Sequence, residues 1–179
     1  MPRNHDDHAQ VFLHKRKDFE VRATSSHVSC FGTKTEMEQY LLSSIRILIA
    51  DDFQNWRRQV LSLFQARPEW QVIAEAADGP EAIQKAEEFK PDLIVLDIGL
   101  PKLNGIEAAR QIRQLSPSSK IILLSLYNDH DIVRAALAMG ALGYVHKKDA
   151  RSELLLAVDA VLRSELFVSS SNGFKFTDT

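Results

Sequence analysis

The chain has 179 residues and a formal net charge of −2, from 22 Lys and Arg against 24 Asp and Glu. Its pI of about 6.3 lacks the basic footprint of a nucleic-acid binder. Hydrophobic residues make up 45%, as in ordinary globular domains, but no apolar run approaches the ~20 residues of a bilayer-spanning helix. The single cysteine, Cys30, excludes an internal disulfide and fits a reducing compartment. The polar start MPRNHDDHAQ has no signal-peptide core. Together these features predict a soluble, cytoplasmic protein.

Residues 1–44 mix His, Lys, Arg, Asp and Ser without a sustained period. They are expected to form a flexible extension, with one short helix around Glu36 to Leu42. Met37 is an alternative start to Met1. Four of the six histidines, His5, His8, His14 and His27, fall here at irregular spacing, which favours a solvated tail over a metal site.

From Ile45 the pattern becomes regular. IRILIA reads as a strand ending at Asp51-Asp52, followed by a helix with Trp56, Val60, Leu63 and Phe64 on one face. WQVIAEAA is a second strand, and Asp78-Gly79-Pro80 starts a helix carrying Ile83, Ala86 and Phe89. Leu93 to Leu96 is a third strand, apolar throughout as in parallel sheets. Asn104-Gly105 leads into a helix with Ile106, Ala109, Ile112 and Leu115, and Ser116-Pro117-Ser118 breaks it. KIILLS is strand four, and Asp131 to Met139 is an alanine-rich helix ended by Gly140. GYVH is strand five. Ser152 to Arg163 is the last helix, with Leu154, Leu155, Val158, Val161 and Leu162 inward.

Alternation at this pace implies parallel strands, right-handed crossovers and helices on both sheet faces. The predicted fold is α/β, a doubly wound (βα)5 sheet of order 2-1-3-4-5. Such folds place ligands beyond the carboxyl ends of their strands. There the chain presents Asp51-Asp52 (strand one), Asp97 (three), Ser125 (four) and His146-Lys147-Lys148 (five). Singly, each has an ordinary explanation: Asp52 as a helix cap, Ser125 in a turn, Lys147 in solvent. Jointly they do not, because two carboxylates ~4 Å apart repel by about 4 kcal/mol at an effective dielectric of 20. Three at one edge call for a cation, and Mg²⁺ accepts carboxylate oxygens while leaving room for a phosphoryl group. Asp97 as nucleophile, a metal and Lys147 opposite form a set suited to phosphoryl transfer onto a carboxylate.

The segments ILIADD, PDLIVLDIGLPKLNGIEAARQIR, IILLS and GALGYVHKKDA resemble the receiver domain of two-component response regulators, of the LuxR/NarL class, over about two thirds of the chain. The resemblance implies a flavodoxin-like receiver at 45–164 and phosphorylation of Asp97 by a histidine kinase or phosphotransfer protein. It further implies Mg²⁺ held by Asp51, Asp52, Asp97 and the Gly99 carbonyl. Ser125 and Lys147 would contact the phosphoryl oxygens, and Tyr144 would be the aromatic switch that follows Ser125. The competing reading of Tyr144 is a half-buried strand residue with its hydroxyl in water. Gly99 and Tyr127 occupy the two variable positions flanking the site, and Lys148 stands where many receivers have proline.

Residues 165–179 are too short for a helix-turn-helix module and read as a tail or truncated linker, so direct DNA binding is not expected. Output would pass to a downstream protein or a homodimer through the helix 4–strand 5–helix 5 face, including Ile132, Arg134, Ala138, Tyr144 and Leu156. The implied chemistry is self-phosphorylation and dephosphorylation, without turnover of another substrate. A haloacid-dehalogenase-type phosphatase is disfavoured by Gly99, where a second Asp is needed. A nucleotide- or flavin-binding module is disfavoured by the lack of a Gly-rich phosphate loop. A receiver lookalike that binds without phosphorylation is disfavoured by the intact set of acids, Ser125 and Lys147.

Overall fold

The computed structural model describes residues 44–127 and 129–173. Apart from Ser44, the segment expected as an N-terminal extension lies outside them, and so do the short helix expected around Glu36 to Leu42 and the four histidines. In chain order the elements are β1 (Ile45–Ala50), α1 (Gln54–Phe64), β2 (Trp70–Ala76), α2 (Gly79–Phe89), β3 (Leu93–Asp97) and α3 (Gly105–Leu115). Then come β4 (Lys120–Ser125), α4 (His130–Ala138), β5 (Gly143–His146), α5 (Ala150–Leu162), β6 (Phe167–Val168) and a single 3₁₀ turn, Ser170–Asn172.

The strands form one parallel sheet of order β2-β1-β3-β4-β5-β6. Five strands and their order agree with the sequence reading; the sixth was not expected. Phe167 N–H donates to the Leu142 carbonyl and Ser169 N–H to the Tyr144 carbonyl, each at 2.9 Å. Part of the segment read as a tail, Phe167 to Ser169, therefore pairs with β5. A two-residue strand carries no periodicity that sequence could reveal.

Side chains alternate across the strands, so each strand feeds two cores. Leu48, Ile94, Leu96, Leu123 and Tyr144 pack with Ala82, Ala86, Ala109, Ile112 and Val133, placing α2, α3 and α4 on one face. Ile47, Ile49, Val95, Leu124 and Val145 pack with Val60, Phe64, Leu154 and Val158, placing α1 and α5 on the other. All five residues of β3 are buried, Asp97 included. Of the inward set expected on α5, Leu154, Val158 and Val161 are fully buried, while Leu155 and Leu162 lie at the margin.

Local signals hold the helix starts. The Asp78 carboxylate accepts from Glu81 N–H at 2.8 Å, and the Glu81 carboxylate takes Ala77 N–H at 2.7 Å, satisfying donors that a helix start leaves open. Asn104 caps α3 by accepting from Glu107 N–H at 2.9 Å. Gly105 follows because nothing larger fits. A Cβ there would stand 2.0 Å from the Asp97 carbonyl oxygen and 2.8 Å from its carbon. The start of α3 thus presses on the backbone of Asp97, and Gly105 N–H donates to the Ile98 carbonyl at 2.9 Å. Gly105→Ala is expected to destabilise the domain by about 3 kcal/mol, the upper end for overpacking against unyielding backbone. Urea unfolding checks this; a loss below about 0.5 kcal/mol would show that the contact relaxes freely.

Candidate functional site

The carboxyl ends of β1, β3, β4 and β5 meet at one edge and bring the predicted residues together. Asp51 is fully buried and Asp97 is 4% exposed, whereas Asp52 faces solvent. One oxygen from each of the three carboxylates lies within 4.8 Å of the others. Lys147 reaches back from the end of β5 to sit between two of them. Its ammonium donates to Asp51 Oδ2 at 2.7 Å and stands 3.0 Å from Asp97 Oδ1. The lysine read from sequence as a phosphoryl contact is, here, the counterion of the acid pair.

Asp51 is held firmly. Phe53 N–H donates to its Oδ1 at 2.9 Å, and Arg57 donates to its backbone carbonyl at 2.7 Å. Burial pushes the Asp51 carboxyl above the ordinary value, against the hydrogen bonds from Lys147 and Phe53 N–H, which lower it; the charge of Asp97 adds to the rise. The folded state therefore binds this proton more tightly than the unfolded chain does. Its contribution to stability is complete below the ordinary carboxylate value and is lost as pH rises through the raised folded value. In chelator, unfolding free energy is expected to increase as pH falls from neutral through that range. Asp51→Asn should flatten that segment of a urea-unfolding pH series. Asp78 and Glu81 have lowered values, so their opposing loss appears only at more acid pH.

Above the acids lies a pocket of about 570 Å³, lined by Asp52, Phe53, Trp56, Asp97, Gly99, Ser125, Leu126, Tyr127, His146, Lys147 and Lys148. Gly99 keeps its floor open: a Cβ there would come 3.3 Å from Asp97 Oδ2. Ser125, 1% exposed, accepts Tyr127 N–H on its hydroxyl at 2.9 Å, and its carbonyl takes Lys147 N–H at 2.7 Å. No peptide bond among the described residues is cis, so Lys147-Lys148 is trans.

Tyr144 is fully buried, and its hydroxyl donates to the Tyr127 carbonyl at 2.9 Å; it is not half-buried with its hydroxyl in water. Burial pushes its phenol up, opposed by the Ser125 hydroxyl. His146 adds a second tie to the same loop. Its Nδ1 accepts Lys148 N–H at 3.3 Å, which leaves Nε2 to donate to the Leu126 carbonyl at 3.0 Å. The sequence reading gave neither His146 this role nor Trp56, placed there on the apolar face of α1, its contact with Lys147, whose ammonium lies 5.5 Å from the ring centroid. The spacing of Trp56 marks it only as part of the apolar face of α1, which carries no sign of Lys147 as its neighbour.

A family model described as the response regulator receiver domain matches residues 47–159, more than half of the chain. The chain belongs to that family. Transcriptional regulatory protein DegU of Brevibacillus brevis is 36% identical over 131 residues, 73% of this chain and 56% of that protein. The oxygen regulatory protein NreC of Staphylococcus haemolyticus is 36% identical over 125 residues, 69% of this chain and 58% of that one. The receiver thus spans just over half the length of these curated relatives. Among solved structures, a LuxR-family two-component response regulator from Aurantimonas sp. SI85-9A1 matches with a TM-score of 0.70 and 35% identity. It covers 73% of this chain and 94% of that one. The receiver domain of the putative regulator NarL from Mycobacterium tuberculosis matches at 0.65 with 27% identity, over 69% and 99%. The fold is the flavodoxin-like receiver fold read from sequence, with β6 added. No helix among the described residues is long and apolar enough to cross a membrane.

Proposed function

We propose that residues 45–164 form a phosphorylation-dependent receiver in which Asp97 accepts a phosphoryl group from a histidine kinase or phosphotransfer protein. The observation that carries this reading is the Lys147 ammonium held between Asp51 and Asp97 at the floor of an open pocket. An Asp97 oxygen attacks phosphorus, the bond from phosphorus to the donor's imidazole nitrogen breaks, and that nitrogen leaves with the electron pair and takes up a proton. The product is an acyl phosphate on Asp97; water later cleaves it, returning the carboxylate and inorganic phosphate.

The acid cluster suits a hard divalent ion, since its donors are oxygens and converge at one point. Asp51, Asp52, Asp97 and the Gly99 carbonyl would hold Mg²⁺, which when bound neutralises charge on phosphoryl oxygens. Lys147 would exchange its hold on Asp97 for a phosphoryl oxygen, and the Ser125 hydroxyl would reach another. That movement loosens the bond from Tyr127 N–H to Ser125, so the β4–α4 loop, clamped by Tyr144 and His146, is the two-state element biased by the phosphate. Ser125 and Tyr144 are thus the proposed switch pair, and Gly99 and Tyr127 border the path of hydrolytic water.

The chain is its own substrate in this scheme, and the signal leaves through a protein surface built on α4, β5 and α5. A downstream protein or a second copy would read that surface, in which β5 is flanked by β6 and is not the sheet edge. Incubation with Mg²⁺ and acetyl phosphate is the direct test. Intact mass should show a single phosphoryl adduct, and beryllofluoride should perturb the emission of Trp56. A wild-type protein that takes up neither would sink the proposal.

A further inference from the structure

Lys147 carries four flexible methylenes, and holding such a side chain in one place is entropically unfavourable. Two carboxylates account for part of the hold, at 2.7 and 3.0 Å. Its third neighbour is uncharged: the indole of Trp56, whose centroid lies 5.5 Å from the ammonium. An aromatic face attracts a cation within about 6 Å, most strongly for Trp and most strongly when water is excluded. The Lys147 side chain is only 11% exposed.

Trp56 is itself set relative to the acids. Its N–H donates to the Phe53 carbonyl at 2.9 Å. Phe53 N–H is bound by the Asp51 carboxylate, and Arg57, the next residue, binds the Asp51 carbonyl. The first turn of α1 is therefore fastened to Asp51 at two points, and ring and acid are placed together. The indole Nε1–H is buried without a hydrogen-bond partner. An unpaired buried donor is destabilising, a penalty that leucine or phenylalanine at 56 would not incur. Simple space filling does not explain a tryptophan here.

We propose that Trp56 is a positioning residue whose indole face keeps the Lys147 ammonium at the site while its polar partners change. The inference rests on the receiver reading above. When Asp97 becomes an acyl phosphate, Lys147 has to release one carboxylate oxygen and meet a phosphoryl oxygen. A carboxylate as third neighbour would oppose that exchange by directional bonding. A π face attracts without fixed hydrogen-bond geometry, so the ammonium can slide across it and stay in the pocket.

The test compares Trp56→Leu, which removes the face, with Trp56→Phe, which keeps a weaker one and removes the unpaired N–H. In the wild type, the indole ring current should shift the Lys147 ε-methylene resonances upfield. Trp56→Leu should abolish that shift and weaken beryllofluoride binding in Mg²⁺ by about tenfold. Trp56→Phe should retain part of the shift and stay within about threefold of wild type. The proposal is overturned if the wild-type lysine resonances lack the shift, if Trp56→Leu binds beryllofluoride as tightly as wild type, or if Trp56→Phe is as impaired as Trp56→Leu. Should Trp56→Leu fail to fold, the proposal stands or falls on Trp56→Phe: unchanged or abolished ring-current shift overturns it, and a partial one supports it. A wild type that binds no beryllofluoride overturns the receiver reading instead, while the lysine resonances still report whether the indole holds Lys147.

Discussion

Asp97→Asn is expected to take up no phosphoryl group from acetyl phosphate and Mg²⁺ under conditions where the wild type gains one. An amide oxygen is a poor nucleophile, and the other two acids are badly placed to replace Asp97. Asp51 is fully buried, with one oxygen on Phe53 N–H and the other on Lys147. Asp52 faces solvent, without the lysine beside it that Asp97 has at 3.0 Å. Asp97 alone combines rigid placement at the end of a buried strand, a pocket in front of it and a cation alongside. Intact mass after incubation reads the outcome directly. An undiminished adduct on Asp97→Asn would show that another residue is the acceptor.

Lys147→Met should have a large effect on stability, comparable with that of Gly105→Ala and different in its cause. It leaves two carboxylates, both essentially buried, without the ammonium between them. Removing one partner of a buried ion pair destabilises by about 3–5 kcal/mol, and the solvent-facing side of this site places the expected loss near the lower figure, about 3 kcal/mol. The cause is charge, so the loss should depend on charge. It should shrink as pH falls, because Asp51 already holds its proton above the ordinary range and would hold it more tightly without the ammonium. It should also shrink when Mg²⁺ is added, since a cation on the acids takes over the neutralising role. Urea unfolding at two pH values, with Mg²⁺ and with chelator, checks all three effects. A deficit unchanged by both pH and Mg²⁺ would mean that Lys147 contributes packing and not charge.

The fold was legible because its determinants are local. IRILIA, LIVL and IILLS are too apolar and too short for anything but buried parallel strands, and Asp78 and Asn104 cap the helices they precede. The site was legible for a related reason: in such a sheet, residues that follow the strands meet at one edge regardless of their separation in sequence. Asp51, Asp97, Ser125 and Lys147 could be grouped without knowing any distance. Contacts between side chains could not. That Lys147 joins Asp51 to Asp97, across 96 residues of sequence to Asp51, is decided by rotamers and burial. The same holds for Trp56, which satisfies the apolar pattern of α1 and facing Lys147 equally well. His146 was legible as a strand end but not as a clamp, because its partner is a backbone carbonyl and carries no residue-type signal.

β6 bears on how this domain could self-associate. A bare β5 would offer a row of open N–H and carbonyl groups, an invitation to strand addition by a second molecule. Here Phe167 and Ser169 fill those positions, and the Ser169 hydroxyl accepts His146 N–H at 3.0 Å. Past Ser169 the chain turns off the sheet, as the Ser170 and Ser171 hydroxyls bond to Glu153 and Asp149. Among the described residues, what remains on that side is a two-residue edge, too short to template a continuous intermolecular sheet. Any pairing of copies there has to be made by side chains, whose fit can change with the state of the site, and not by backbone ladders, which would lock two domains together in either state.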